Sequence, residues 1–250
     1  MQNYTYPPYS ELSPEDEYPS LEYYNDDGGY CTPKRHWCLV AEIVENHTFM
    51  RHRQHLILRT RLSLDRFQLV FYLDKEPAST DSFNYDQLKV GNTICVLYAE
   101  RKRFLDGTQG IRQESADCVH VFKAPLHIVH EEAKKLLQYA DTRAAKAKAV
   151  SSTSSSGAGS NLSSNTVHPF SLCFICGKQE TAEAPLSRCA GCHIAVYCSK
   201  ECQKSHWNLS HKALCKDSEK LLRLSCLPRY PFVELNWFKM HTLPPHKLEN

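Results

Sequence analysis

Between residues 173 and 215 the chain sets seven cysteines and a histidine at the spacing C-x2-C-x12-C-x2-C-x5-C-x3-C-x8-H-x3-C. No other feature restricts the fold as much. A segment this short cannot bury enough apolar surface to offset the entropy of ordering it, so bound metal must supply much of its folding free energy. Eight thiolate or imidazole donors suffice for two tetrahedral zinc ions with none left over. Cys173/Cys176 and Cys189/Cys192 have the two-residue gap of a knuckle turn, while Cys198/Cys202 and His211/Cys215 stand at i,i+4, on one face of a helical turn. With every donor drawn from the protein, no coordination position remains for water or substrate, and the expected zinc is structural.

The residues around the donors narrow the reading. Ala195-Val196-Tyr197-Cys198-Ser199-Lys200-Glu201-Cys202-Gln203, followed by Trp207, His211 and Cys215, resembles the MYND zinc-finger family over about residues 170–216. The resemblance implies two zinc ions held by interleaved pairs. Cys173, Cys176, Cys198 and Cys202 would hold the first, and Cys189, Cys192, His211 and Cys215 the second. Three residues separate Trp207 from His211 where the family usually has two, which lengthens the turn between the helices. His206, four residues after Cys202, is a competing donor. His211 is preferred because His206 would leave Cys215 without a partner at i,i+4. Leu172, Phe174, Ile175, Val196 and Tyr197 are expected to form the finger's small apolar core. The family characteristically recognises short proline-containing peptides, and by matching position Gln203 and Trp207 are the candidates for peptide contact.

Twelve cysteines would suggest disulfides in a secreted chain, but seven of them in a zinc framework require a reducing compartment, cytoplasm or nucleus. Cys31, Cys38, Cys95, Cys118 and Cys226 show no pair spacing, and Cys95 and Cys118 are expected as buried small hydrophobes. No apolar run approaches the length of a membrane span, and the first residues lack the basic and apolar regions of a signal peptide.

The net charge of +2 conceals an asymmetry: residues 1–30 carry seven acidic residues and no Lys or Arg. That head, rich in Tyr, Pro and Ser without apolar periodicity, is read as a disordered acidic segment over 1–34. Residues 35–149 read as a β-rich domain with strands over 36–44, 56–62, 66–73, 93–99 and 118–122, and turns at Ser63-Leu64-Asp65 and Asp106–Gly110. Pro125 suits the first turn of a helix through about Ala149, with Leu126, Val129, Ala133, Leu136, Leu137 and Ala140 on one stripe. Residues 150–168 form a Ser/Gly-rich linker, 169–216 the finger, and 217–250 a helix followed by a Pro/aromatic tail. The fold class expected is α+β: a small OB-like β barrel with a helix, a flexible linker and a two-zinc finger.

No phosphate-cradling loop, nucleophile elbow or SET-type catalytic motif appears, so an enzyme is not expected. Arg51, Arg53, Arg59, Arg61 and Arg101-Lys102-Arg103, with Tyr98 and Phe104 as stacking platforms, offer a rival reading as a nucleic-acid-associated factor. The histidines His47, His52 and His55 beside them read as part of a basic loop before a metal site. The favoured reading is a zinc-binding adaptor that recognises proline-containing segments of partner proteins, with no membrane role.

Overall fold

Alternation of apolar and polar side chains builds the first part of the chain. The computed structural model describes residues 5–15, 20–26, 31–48, 53–61, 66–72, 84–152, 172–181 and 183–227. Two short strands, β1 (Tyr24–Asp26) and β2 (Cys31–Pro33), pair antiparallel ahead of a larger sheet. That sheet is built from β3 (Cys38–Asn46), β4 (His55–Thr60), β5 (Arg66–Phe71), β6 (Thr93–Leu97), β7 (Lys102–Arg103), β8 (Gln109–Gln113) and β9 (Val119–Phe122). Its strand order is β7-β8-β5-β4-β3-β6-β9, antiparallel throughout except for the parallel pair β5 and β8.

Leu39, Ala41 and Ile43 of β3, Leu56 and Leu58 of β4, Phe67, Leu69 and Phe71 of β5, and Ile94 and Val96 of β6 are buried in one core. Their period of two puts them on the same face of the pleat. Strands β6 and β9 are buried on both faces. Cys95 and Cys118 are buried without a disulfide.

The five expected strands all form, but the sheet does not close into a barrel: its outer strands β7 and β9 are not paired with each other. A second difference lies at Asp106–Gly110, read from sequence as a loop. Its first residues turn a hairpin, and Gln109 and Gly110 already belong to the second strand, β8, which runs parallel to β5. Gly110 permits this, because a Cβ there would overlap the Cγ and carbonyl oxygen of Gln68. A strand reading Gln-Gly-Ile-Arg-Gln has too little apolar alternation to be seen in advance. The turn expected at Ser63-Leu64-Asp65 lies outside the described residues.

The acidic head also differs from the solvated segment expected. Within its described residues, Leu12 and Tyr23 are buried. Tyr9 stacks on Phe67 at 4.2 Å, and Tyr23 and Tyr24 pack on Trp37 at 4.7 and 5.5 Å. The Trp37 Nε1–H donates to the Ala99 carbonyl, and the Arg101 Nε–H donates to that of Leu12. Charge and low aliphatic content argued for disorder; the tyrosines supply the missing apolar area.

A helix, α1 (Leu126–Ser152), follows Pro125. The chain divides into two compact units between Val129 and His130, inside this helix rather than at the Ser-rich stretch, and the second unit runs from His130 to Cys226. The expected linker over 150–168 lies almost wholly outside the described residues, as does the Pro/aromatic tail from 228. No helix among the described residues is long and apolar enough to cross a membrane.

Candidate metal centre

The second unit has little regular structure with which to hold itself. Its strands, β10 (Ser187–Arg188) and β11 (Val196–Tyr197), are two residues each and pair antiparallel. Its helices are α2 (Lys200–His206), α3 (Lys212–Leu214) and α4 (Ser218–Ser225). Two knuckle turns present the first cysteine pairs: Gly177 N–H donates to the Cys173 carbonyl, and His193 N–H to that of Cys189, both at 2.9 Å. Ser199 caps α2 by accepting the Cys202 N–H at 3.3 Å, which fixes Cys202 one turn beyond Cys198.

The donors converge as two sets of four: Cys173, Cys176, Cys198 and Cys202, and Cys189, Cys192, His211 and Cys215. Within each set all four atoms lie within 4.8 Å of one another. Zinc–sulfur bonds of about 2.3 Å at tetrahedral angles set sulfurs about 3.8 Å apart, and a sulfur and an imidazole nitrogen about 3.6 Å apart. The structure has Cys198–Cys202 at 3.7 Å, Cys189–Cys215 at 3.7 Å, Cys192–His211 Nε2 at 3.5 Å and Cys189–His211 Nε2 at 3.4 Å. The residues fit zinc in both donor chemistry and spacing. Gly191 is part of the second cage's shape, because a Cβ there would come within 2.9 Å of the Cys215 sulfur.

The electrostatics of the donors point the same way. Burial opposes ionisation of Cys173, yet N–H groups of Cys176, Ile175 and Cys198 hold its thiol at about 6. Burial likewise opposes Cys192, which His211 and the N–H groups of Ala195 and Ile194 bring to about 6. Cys198 is pushed up to about 12, first by its hydrogen bond to Cys176 and then by burial; Cys215 reaches about 12 through burial and then through Cys189. Sulfurs this close cannot all carry charge by themselves. A divalent cation among them reverses the balance, since a coordinated thiol is deprotonated outright.

Val196 and Tyr197 are fully buried between the cages, and Phe174 and Ile175 pack partly against them; Leu172 stays half-buried. His206 belongs to neither set of four. Its ring is fully buried, with Tyr197 Oη at 2.9 Å from Nδ1 and Glu132 Oε2 at 2.9 Å from Nε2. Burial holds its pKa below the ordinary value, which suits a neutral ring that accepts from the tyrosine and donates to the carboxylate. The extra residue between Trp207 and His211 does not lengthen a turn between helices. It is absorbed as one π turn, Trp207–His211, in continuous helix from α2 to α3. Residues five apart point different ways on an α-helix but align across a π turn. The His206 and His211 rings accordingly stack at 4.9 Å, 21° from parallel.

Glu132 of α1 was not anticipated. It is 1% exposed. Burial opposes its charge, but the facing His206 and His211 hold its carboxyl well below the usual range. One signal was available: Glu132 falls at helical spacing between Val129 and Leu136, inside the apolar stripe of α1.

Trp207 is 39% exposed, and Gln203 stands half-buried one turn before it in the same helical stretch. Some basic residues of the sheet unit are paired with carboxylates, while Arg53, Arg61 and Arg103 are exposed. Arg59 lies 3.9 Å from Glu42, Lys102 lies 3.1 Å from Glu15, Arg112 pairs with Glu114, and Arg66 pairs with Glu45. The Tyr98 hydroxyl is 2.6 Å from His36 Nδ1, and its ring packs on Trp37. Tyr98, one of the two expected stacking platforms, is thus packed against its neighbours. His47 pairs with Glu45 at 2.6 Å and its ring is 5.8 Å from that of His55; Arg51 and His52 lie outside the described residues.

Comparison with known proteins agrees with the geometry. Residues 173–215 match the MYND finger family. Similar segments occur in histone-lysine N-methyltransferase SMYD3 of Homo sapiens, 40% identical over 57 residues, and in programmed cell death protein 2 of Bos taurus, 44% identical over 50 residues. An F-box protein of Arabidopsis thaliana is 38% identical over 47 residues. These stretches cover 23%, 20% and 19% of this chain but only 12%, 13% and 12% of the relatives. Proteins with such different names share a segment the size of the finger. The finger binds zinc, and MYND fingers generally mediate protein–protein interaction.

Proposed function

We propose that this chain is a non-enzymatic zinc-binding adaptor whose finger docks proline-containing segments of partner proteins. The observation that carries the reading is exposed apolar surface on the helical stretch of the finger, above all the indole of Trp207. Trp207 is 39% and Leu209 65% exposed, and among the described residues of the second unit these are the large apolar side chains left open. Gln203, one turn before Trp207 in the same helical stretch, offers a hydrogen-bonding amide. An aromatic surface held rigid by metal suits an extended Pro-rich strand, which loses little entropy on docking. Affinity in the micromolar range, about −8 kcal/mol, is expected of a small docking surface. Each zinc cage is filled by four protein donors, which leaves the metals a structural task. Reduced thiols on this scale suit the cytoplasm or nucleus.

An array of proline-containing peptides, probed with the full-length chain, tests the reading. Capture should be micromolar, should disappear when proline is replaced by alanine, and should weaken at least about tenfold in Trp207→Ala at unchanged melting temperature. Capture indifferent to proline or to Trp207 would sink it. Salt-dependent retention of labelled single-stranded nucleic acid in place of peptide would favour the rival instead.

A further inference from the structure

The helical stretch that carries His211 meets, at its buried face, a carboxylate from far outside the Cys-rich segment. Glu132 Oε2 accepts hydrogen bonds from His206 Nε2 at 2.9 Å and Ser210 Oγ at 3.1 Å, and Lys135 Nζ lies 3.4 Å away. Its other oxygen, Oε1, stands 3.5 Å from His211 Nδ1. That nitrogen is buried and has no hydrogen bond of its own. The opposite ring nitrogen, Nε2, faces the sulfurs of Cys189 and Cys192.

We propose that Glu132 is a positioning residue for the second zinc: its carboxylate receives the Nδ1–H of His211 and so fixes the tautomer and ring plane that offer Nε2 to the metal. A ligating histidine needs such a partner, because the hydrogen bond on one nitrogen decides which nitrogen is free to coordinate. The π turn makes a single carboxylate sufficient. By aligning His206 with His211 it lets Glu132 serve both rings, and His206 carries the network on to Tyr197, the residue before the first-site ligand Cys198. The metal-binding module thus extends beyond residues 173–215 to include α1. The inference stands on the zinc cage and is independent of peptide docking.

The test uses the full-length chain loaded with two equivalents of 113Cd, whose resonance distinguishes a four-sulfur site from a three-sulfur, one-nitrogen site. Three variants are compared with wild type. Glu132→Gln keeps the shape and removes the charge. Glu132→Asp keeps the charge and withdraws it by one methylene. Leu136→Ala, one turn further on, leaves a cavity at another buried residue of α1 and leaves the carboxylate in place. In Glu132→Gln the three-sulfur signal should shift, the His211 ring 15N shifts should move, and the second equivalent should bind about 10- to 100-fold more weakly by chelator competition. The four-sulfur signal should stay. Glu132→Asp should weaken the same equivalent by less, and it replaces the glutamine variant if that chain fails to fold. Leu136→Ala should lower the melting temperature without moving either resonance. Wild-type affinity for both equivalents in Glu132→Gln overturns the proposal. So does equal loss of both sites, or a three-sulfur signal that moves as far in Leu136→Ala.

Discussion

The two units of this chain solve the same problem by opposite means. In the sheet unit, apolar side chains from successive strands meet in one core, and its ordering entropy is offset by area removed from water. In the second unit donor atoms are part of the interior itself: Cys173, Cys189 and Cys215 sit in the same buried cluster as Val196 and Tyr197. Strands of two residues cannot hold themselves together. The contrast teaches that burial has different meanings in the two places. A buried residue in the sheet is a source of stability, while a buried sulfur in the finger is a liability until a cation neutralises it.

The largest expected effect breaks the comparison open. Removing zinc with a chelator should collapse the finger while the sheet unit keeps its own cooperative transition. The free energy at stake is on the order of 10–16 kcal/mol per structural zinc. Amide dispersion by NMR should disappear for residues 173–215 and persist for the strands. Elemental analysis of the untreated chain should find about two zinc atoms, and Cys198→Ser should reproduce the loss at the first site. A finger whose spectrum survives chelation would end the distinction between the units.

The converse substitution sits in the sheet unit. Trp37 is 1% exposed, is packed by Tyr23, Tyr24 and Tyr98, and donates its indole N–H to Ala99. Truncating it to alanine should cost about 3–5 kcal/mol, lower the first melting transition, and leave zinc content at the wild-type value. Loss of zinc along with the sheet would show that the two strategies are not separable.

How much of this was legible in the sequence follows the same divide. The eight donors could be read from spacing, because coordination demands particular atoms at particular intervals; their division into two interleaved sets came from the resemblance to the MYND family. The five main strands could be read from period-two apolar runs. What escaped were features fixed by tertiary contact. Strand β8 depends on Gly110 passing close to Gln68, and the N-terminal tyrosines find partners only once Trp37 and Phe67 are placed. Glu132 was not singled out because its partners, His206 and His211, lie more than 70 positions away. The π turn was visible only as one residue too many between Trp207 and His211, with nothing local to say how it would be absorbed.

The smallest expected effect concerns pH, and it sets the zinc donors against Glu100 of the sheet unit by sign. Zinc binds only deprotonated thiols, so every donor that still holds its proton must release it on loading. Cys198 and Cys215, pushed up to about 12, release theirs at any physiological pH. Cys173 and Cys192, held at about 6, are already thiolates at pH 7 and release nothing there, but below 6 they join the others. The dependence of log affinity on pH should therefore steepen by about one proton per site as pH falls through 6, roughly a further tenfold weakening per pH unit. In the sheet unit Glu100 has the opposite bias. Burial raises the pKa of Glu100, so the folded form takes up its proton before the unfolded chain does, and acidification through that window stabilises rather than weakens. Calorimetric titration of zinc in buffers of different ionisation enthalpy, repeated from pH 7.5 to 5, measures the proton count directly. A release that stays constant across pH 6 would mean that Cys173 and Cys192 are not the low-pKa donors of their cages.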